Sequence, residues 1–247
     1  MIKLRELERI ILRNGVLIQG LPGIGLVGKI AVDYIIRELN LRKIAELISD
    51  GLLLQQNIAV LVDDEGILKL PTYDFYHYST GGRDLLFLTA PTQPVTWMQY
   101  EIAERVIDYF QMIGGREVVG VCGTTMGEKE NVYFAATRRE IGEELTKHGL
   151  KPSPGGVITG ACGLLPILAS IRGLKAYVLM GYTAQIEPDP LAAKRVVLAL
   201  AKLFQLEVNT SNLDKLIEEI KAREAEMTTM LKESDKSRRE SMPPFYV

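Results

Sequence analysis

Short apolar runs alternate with helix-period segments along residues 15–204. Residues 15–20 form an apolar run that ends in glycine, and residues 26–39 follow with apolar positions at helical spacing, which predicts a strand, a turn and a helix. The remaining runs predict strands over 59–62, 85–89, 118–122 and 176–180, with helices over 95–113 and 167–172. Because continuous apolar strands that alternate with helices are typical of sheets buried on both faces, the pattern predicts an α/β fold.

Two further segments differ from this pattern. Residues 69–78 are aromatic and polar, and residues 131–136 form a short β-like run before a helix over 138–148. Both segments are predicted to be edge or loop elements. The acidic residues 63–65 precede Gly66, and this composition is typical of a turn between strands rather than of a metal site.

An amphipathic helix is predicted to begin at Pro190. Its apolar positions up to Phe204 share one helical face, Asp189 stands at the expected N-cap, and Pro190 takes the first helical position. We expect this helix to cover one face of the sheet. Residues 1–208 then suit a single α/β domain, because such folds reach this length without splitting.

Residues 209–247 have the composition of a separate C-terminal helical arm. Residues 213–233 are highly charged and carry a heptad-like apolar stripe that is interrupted near Glu224. The stripe consists of Leu213, Leu216, Ile217, Ile220, Met227, Met230 and Leu231. It requires a partner surface, which is either the chain's own α/β domain or a second subunit. Residues 234–241 are charged without periodicity and lead to Met242-Pro-Pro-Phe-Tyr-Val247, which predicts a flexible arm with a hydrophobic tip.

Charge, cysteine content and the lack of long apolar runs indicate which partners and which cellular compartment to expect. The formal net charge is −2, so no basic field covers the 247 residues and nucleic acid is not an expected partner. Cys122 and Cys162 lie among small or apolar neighbours, which suits reduced thiols in a cytosolic core. The N-terminal residues lack a secretory pattern and no apolar run is long enough to span a bilayer, so we expect a cytoplasmic protein that does not contact membranes.

A glycine-rich segment connects the first predicted strand to the first helix. Residues 20–29 read Gly-Leu-Pro-Gly-Ile-Gly-Leu-Val-Gly-Lys and contain the G-x-G-x-x-G spacing with which backbone amides hold a pyrophosphate. A P-loop would need a hydroxyl where Ile30 follows Lys29, and Glu46 and Asp50 come too late for a ribose-binding acid. We therefore favour close packing of helix on strand as the role of these glycines, with cofactor binding as the alternative.

A second glycine cluster, over residues 154–165, also leads into a predicted helix. The two glycine-rich loops could flank a small anion, or they could only tighten the fold.

Residue types that perform catalysis are scarce. His77 lies in an aromatic segment and His148 near a predicted helix end, and neither has a nucleophile beside it in sequence. Cys122 and Cys162 have no neighbouring Lys, Arg or His that would lower a thiol pKa, and no Cys and His spacing typical of metal sites occurs. The sequence predicts no catalytic residue, no cofactor and no metal.

Three segments together resemble one known family. They are Gly20-Leu-Pro-Gly-Ile-Gly-Leu-Val-Gly28-Lys-Ile-Ala31, Thr159-Gly-Ala-Cys-Gly-Leu-Leu165, and Val178-Leu-Met-Gly181 with Glu187-Pro-Asp-Pro-Leu-Ala-Ala193. In their order and spacing they resemble the archaeal proteasome-assembly chaperone family of PAC2 type, over residues 10–205. The resemblance implies a fold similar to that of nucleoside phosphorylases without their catalytic groups, and it implies homo-oligomers.

The last three residues of the sequence, Phe245, Tyr246 and Val247, resemble the tail of hydrophobic residue, tyrosine and any residue (HbYX) with which proteasome activators enter pockets between α-subunits of the core particle. That resemblance implies that Tyr246 repositions the gate and that the Val247 carboxylate meets a pocket lysine. The chemistry agrees, because an apolar residue and a phenol fill a small pocket and a carboxylate forms a charge-assisted bond. Pro243 and Pro244 would stiffen the approach.

The predicted function is therefore docking on the α-subunit ring of the 20S proteasome as an ATP-independent activator, an assembly chaperone, or both. Two alternatives stay open. One is a nucleotide- or nucleoside-binding enzyme that uses the glycine-rich loops, and it predicts stabilisation by such ligands. The other is an oligomeric partner of another chaperone-like protein, with the tail buried against its own subunits.

Overall fold

The computed structural model describes residues 1–52, 60–62, 64–219 and 222. The chain divides into two compact units, with Val208 the last residue of the first and Asn209 the first residue of the second. All of the strands and helices named below belong to the first unit. No helix in the described part of the chain is both long and apolar enough to cross a membrane.

A nine-stranded mixed sheet forms the centre of the first unit. The strands along the chain are β1 (Ile2–Glu6), β2 (Gly15–Gly20), β3 (Arg42–Ser49), β4 (Leu61–Val62), β5 (Leu68–Lys69), β6 (Thr72–Ser79), β7 (Asp84–Thr89), β8 (Gly115–Thr124), β9 (Val132–Ala136), β10 (Lys151–Pro152) and β11 (Lys175–Tyr182). The order in the sheet is β1-β3-β6-β7-β2-β8-β11-β9-β10, and β4 and β5 form a separate two-stranded sheet.

The four central strands β7, β2, β8 and β11 are parallel, whereas β6 runs antiparallel to β7 and β9 runs antiparallel to β11. Every residue of β2 and β7 is buried, as their continuous apolar sequences predict. Because the parallel strands end at one edge of the sheet, the loops that follow them gather there.

Helices cover both faces of the sheet. They are α1 (Val27–Glu38), α2 (Gln99–Met112), α3 (Arg139–Lys147), α4 (Ala161–Ile171) and α5 (Pro190–Phe204). Helix α1 packs against α5, and α2 packs against α4. A Cβ on Gly28 of α1 would overlap the carbonyl of Val121, whereas a Cβ on Gly120 would overlap the carbonyl of Cys162 in α4. Since neighbouring residues of a strand face opposite ways, the two helix pairs lie on opposite faces of β8, and the predicted α/β fold is confirmed.

Helix α5 begins as its sequence predicts. The Asp189 carboxylate accepts a hydrogen bond from the N–H of Ala192 at 2.9 Å, and Pro190 occupies the first helical position. The second carboxylate oxygen accepts a hydrogen bond from the Thr183 hydroxyl at 2.8 Å, which joins the helix start to the end of β11.

Both segments predicted as edge or loop elements are strands inside the sheet, and for residues 131–136 this is β9, between β11 and β10. Residues 72–79 form β6 inside the sheet rather than an edge, because Tyr73 and Phe75 pack into the core while Asp74 pairs with Lys43. Within the strand predicted over 59–62, Leu61 and Val62 do form β4, but it is exposed and pairs with β5 outside the main sheet. The turn predicted at Gly66 does join these two strands, and this glycine has a φ of 78°.

Candidate functional site

A cavity of about 1140 Å³ opens at the edge where the parallel strands end. Its wall contains the loop after β2 (Pro22 to Ile24), the end of β8 and the residues after it (Cys122 to Met126), and the glycine-rich loop before α4 (Gly155 to Gly160). Residues of β9 and α3 close another side. The carboxyl edge of a parallel sheet is where α/β proteins place their ligands, which makes this cavity the first candidate for a functional site.

The side chain of Gln93 joins the two glycine-rich loops. Its amide nitrogen donates to the carbonyl oxygen of Pro22 at 2.7 Å, and its amide oxygen accepts from the N–H of Ala161 at 3.2 Å. The second bond satisfies a backbone donor in the first turn of α4, which a ligand anion would otherwise use. Sequence reasoning missed Gln93, although a polar residue soon after the buried strand β7 is a usable signal.

Some glycines of the first loop allow close packing, because the structure leaves no space for a side chain at their positions. A side chain on Gly28 would overlap the backbone of β8, so the helix lies directly on the strand. The Lys29 ammonium is engaged by other side chains and not held for a phosphate, since it lies 2.5 Å from the Asp33 carboxylate and 3.0 Å from the Thr89 hydroxyl. This agrees with the packing interpretation of the motif and leaves no P-loop lysine for a nucleotide.

The two cysteines meet, although forty positions of sequence separate them. Cys122 on β8 and Cys162 on α4 pack in one apolar cluster with Met180, and both line the cavity. Burial raises the pKa of the Cys162 thiol well above its ordinary value, and its hydrogen bond with Cys122 raises it further. A buried thiol of this kind is a weak nucleophile at neutral pH.

Neither histidine lies among the residues that line the cavity. His77 is on β6, where its ring nitrogen lies 3.4 Å from the Asp84 carboxylate. His148 ends α3, and its carbonyl oxygen accepts a hydrogen bond from the Lys202 ammonium at 2.8 Å. Among the described residues, no group of three or more His, Cys, Asp or Glu side chains could hold a metal ion.

A second groove, of about 840 Å³, is lined by charged side chains of β3, β6 and α1. The Lys43 ammonium lies 2.7 Å from Glu46 and 3.2 Å from Asp74, and Arg5 lies 2.5 Å from Glu46. Burial by itself lowers the pKa of Lys43, but the hydrogen bonds and charges of Glu46 and Asp74 outweigh it and raise that pKa. These charges satisfy one another, so the groove contains a structural ion-pair network.

Exposed apolar side chains surround the carboxyl edge of the sheet. Trp97 before α2 is 80% exposed, Val157 in the glycine-rich loop 90%, and Ile186 after β11 83%. The Ile186 carbonyl oxygen accepts a hydrogen bond from the N–H of Gly25 at 3.2 Å, so its loop is tied to the loop after β2. Large apolar groups clustered on one edge are typical of surfaces that contact another protein.

The predicted docking residues of the C-terminal arm fall only partly within the described chain. Residues 211–219 are helical, and the Asn209 side chain accepts a hydrogen bond from the N–H of Ser211 at 2.9 Å near the helix start. Leu213, Leu216 and Ile217 of the stripe lie on this helix. Outside the described residues lie Ile220, Met227, Met230, Leu231 and the tail Phe245, Tyr246 and Val247.

Solved structures of similar fold include two Pyrococcus furiosus proteins. One is PbaB, described as an archaeal proteasome activator, with a TM-score of 0.83 and 29% identity over 92% of this chain and 98% of that chain. The other is PbaA, described as an archaeal homolog of proteasome-assembly chaperone, with a TM-score of 0.79 and 28% identity over 96% of both chains.

Sequence comparison agrees with the structural likeness. The uncharacterised protein MJ1210 of Methanocaldococcus jannaschii is 33% identical over 237 residues, which are 91% of this chain and 89% of that protein. The family model described as the PAC2 family matches residues 17–228, which include the glycine-rich loops, the covering helices and the main sheet except for β1 and the first two residues of β2. The chain therefore belongs to the PAC2 family.

Proposed function

We propose that the protein is a non-catalytic factor that docks on the α-subunit ring of the 20S proteasome through Phe245, Tyr246 and Val247. The observation that carries this proposal is the similarity, over 92% of the chain, to a solved structure described as an archaeal proteasome activator. The docking factor acts as an activator, as an assembly chaperone, or as both.

The composition of the tail supports its role. A charged segment, residues 234–241, precedes Pro243 and Pro244, and the sequence then gives an aromatic residue, a tyrosine and a valine. Such residues have little reason to follow a charged arm unless a pocket receives them. An apolar residue and a phenol gain binding free energy when a pocket removes them from water.

Several tails on one oligomer would bind far more tightly than one tail. A homo-oligomer raises the effective concentration of the second tail once the first is bound, and affinity increases without any new kind of contact. We propose that the apolar stripe of the arm pairs subunits through its exposed positions, of which Leu216 is 43% exposed, whereas Leu213 and Ile217 are buried within the single chain. The exposed apolar edge at Trp97, Val157 and Ile186 offers a further contact surface.

Features of the described loops support the proposed independence from ATP and from catalysis. Lys29 is engaged by Asp33 and Thr89, and Ile30 has no hydroxyl for magnesium. In the cavity, the Cys162 thiol has a raised pKa rather than a lowered one. Tail docking needs no ATP-driven motor, because the free energy of tail binding itself repositions the residues of the pocket.

The decisive experiment is retention of the proteasome core particle on the immobilised full chain, with peptide hydrolysis by the core particle measured in parallel. We expect the wild type to retain the core particle and Tyr246→Ala to bind at least about tenfold more weakly, since a buried aromatic anchor contributes about 1.4 kcal/mol or more. The matched control is Ser241→Ala, which changes the same arm upstream of the tail.

The outcomes separate the parts of the proposal. Faster hydrolysis with wild type indicates an activator, whereas binding without faster hydrolysis indicates an assembly chaperone. Equal retention of wild type and Tyr246→Ala would show that the tail does not dock. Sedimentation of a monomer at the binding concentration would contradict the oligomer.

A further inference from the structure

The chain has two cysteines, and the fold brings them together. Cys122 lies near the end of β8, and Cys162 is the second residue of α4. The two thiols lie in one apolar cluster with Tyr133, Val178 and Met180. The packing of α4 on β8 therefore places two oxidisable groups side by side.

The backbones of the two elements lie in close contact. A Cβ on Gly120 would overlap the carbonyl oxygen of Cys162, so the first turn of α4 lies directly on β8 two residues before Cys122. A disulfide requires close approach of both Cα atoms and side chains that face each other. A strand and a helix in backbone contact, with both cysteines in one apolar cluster, bring the two thiols near each other.

The two thiols differ in access. Cys162 is buried, with 5% exposure, whereas Cys122 is partly exposed and lines the cavity of about 1140 Å³. A small oxidant that enters the cavity therefore reaches Cys122 first. Burial raises the pKa of the Cys162 thiol, which also makes it the slower of the two to react with an oxidant in solution.

We propose that Cys122 and Cys162 form an oxidation site, at which a hydroperoxide converts the pair into an intramolecular disulfide. The sulfur of Cys122 attacks the peroxide, the O–O bond breaks, and a sulfenic acid and one water form from hydrogen peroxide. The sulfur of Cys162 then attacks the sulfur of Cys122. The S–O bond breaks, and the hydroxide leaves with the Cys162 proton as a second water, so two thiols lose two electrons and the peroxide accepts them.

The disulfide would change the cavity wall. It would join β8 covalently to the first turn of α4, and the loop that precedes α4 contributes Gly156 and Ile158 to the cavity. Oxidation would therefore fix this loop against the sheet. The site is independent of tail docking, because neither cysteine belongs to the C-terminal arm.

The test treats the reduced, folded full chain with hydrogen peroxide, then alkylates it with N-ethylmaleimide in denaturant and measures the intact mass. We expect a monomer that has lost two hydrogen atoms, carries no maleimide and regains two alkylatable thiols with dithiothreitol. Alkylation of both cysteines, oxygen added irreversibly to Cys122, or a disulfide between chains would overturn the proposal.

Variants assign the order of events. Cys162→Ser should stop at a sulfenic acid on Cys122 that dimedone traps, and Cys122→Ser should consume peroxide at least about tenfold more slowly than wild type. Equal rates for the two variants would overturn the assigned order. The wild type provides a test without substitutions. Its oxidised form should melt about 5 °C or more above its reduced form, because the disulfide lowers the conformational entropy of the unfolded chain.

Discussion

At the scale of single residues, the glycine-rich segment shows that a sequence motif has to be interpreted together with the structural environment of each of its residues. Gly23 and Gly28 belong to the same G-x-G-x-x-G spacing, but their environments differ. A Cβ on Gly23 would meet nothing within 4 Å, and its φ of −169° is ordinary extended backbone. A Cβ on Gly28 would overlap the carbonyl of Val121 on β8. Of these two residues, only Gly28 must be glycine for the helix to pack on the strand.

We predict that Gly28→Ala destabilises the protein by about 1–3 kcal/mol or more, because α1 must move away from β8. Gly23→Ala, the matched control from the same loop, should change the free energy of unfolding by less than about 0.5 kcal/mol. Urea unfolding of both variants measures the difference. If Gly28→Ala were as stable as the control, packing would not explain the motif.

The residues of the candidate site were only partly predictable. The missing hydroxyl at Ile30 is visible in the sequence and argues against a P-loop, whereas the ion pair of Lys29 with Asp33 appears only in the structure. Contact between Cys122 and Cys162, and the bridge that Gln93 makes between two loops, depend on elements distant in sequence. No local pattern encodes such contacts.

At the scale of elements, local signals succeed where one side chain sets a boundary. Asp189 caps α5 and also accepts a hydrogen bond from Thr183, so one carboxylate joins the helix start to the loop after β11. We predict that Asp189→Ala lowers the free energy of unfolding by about 1–2 kcal/mol, since two donors lose their acceptor.

Asp189→Asn is the conservative control, because its amide oxygen still caps the helix, and it should recover most of the stability. The urea midpoints of the two variants and the wild type decide the matter. Similar losses for Asn and Ala would mean that the charge at the helix start, rather than the cap, stabilises α5.

Strand prediction succeeded for the buried parallel strands and failed for the polar ones. β2 and β7 are buried throughout and mostly apolar because both of their faces are covered. β3 was not predicted, and β6 was assigned to an edge or loop, because each carries charged residues. Lys43, Glu46 and Asp74 neutralise one another across these strands, and only the assembled sheet makes that pairing apparent.

At the scale of the whole molecule, a binding protein and an enzyme on the same fold differ in their response to ligands. We predict that nucleotides, nucleosides and phosphate leave the melting temperature unchanged, because the glycine-rich loops are occupied by packing and by Gln93. A ligand at one hundred times its Kd would add about 2.7 kcal/mol, which a thermal scan detects as a rise of several degrees. A rise that grows with ligand concentration would favour the nucleotide-binding alternative.

The order of strands in the sheet also affects how the protein is made. β2 pairs with β7 and β8, so Gly20 has as its neighbours Thr89 and Val121. At about 5–20 residues per second, the ribosome needs about 3–14 seconds after finishing β2 to finish β7. The second partner follows only when about half of the 247 residues have been synthesised. The nascent chain therefore carries a mostly apolar strand near its beginning for seconds before either neighbour exists, and translation speed over residues 21–124 sets how long that strand is open to wrong partners.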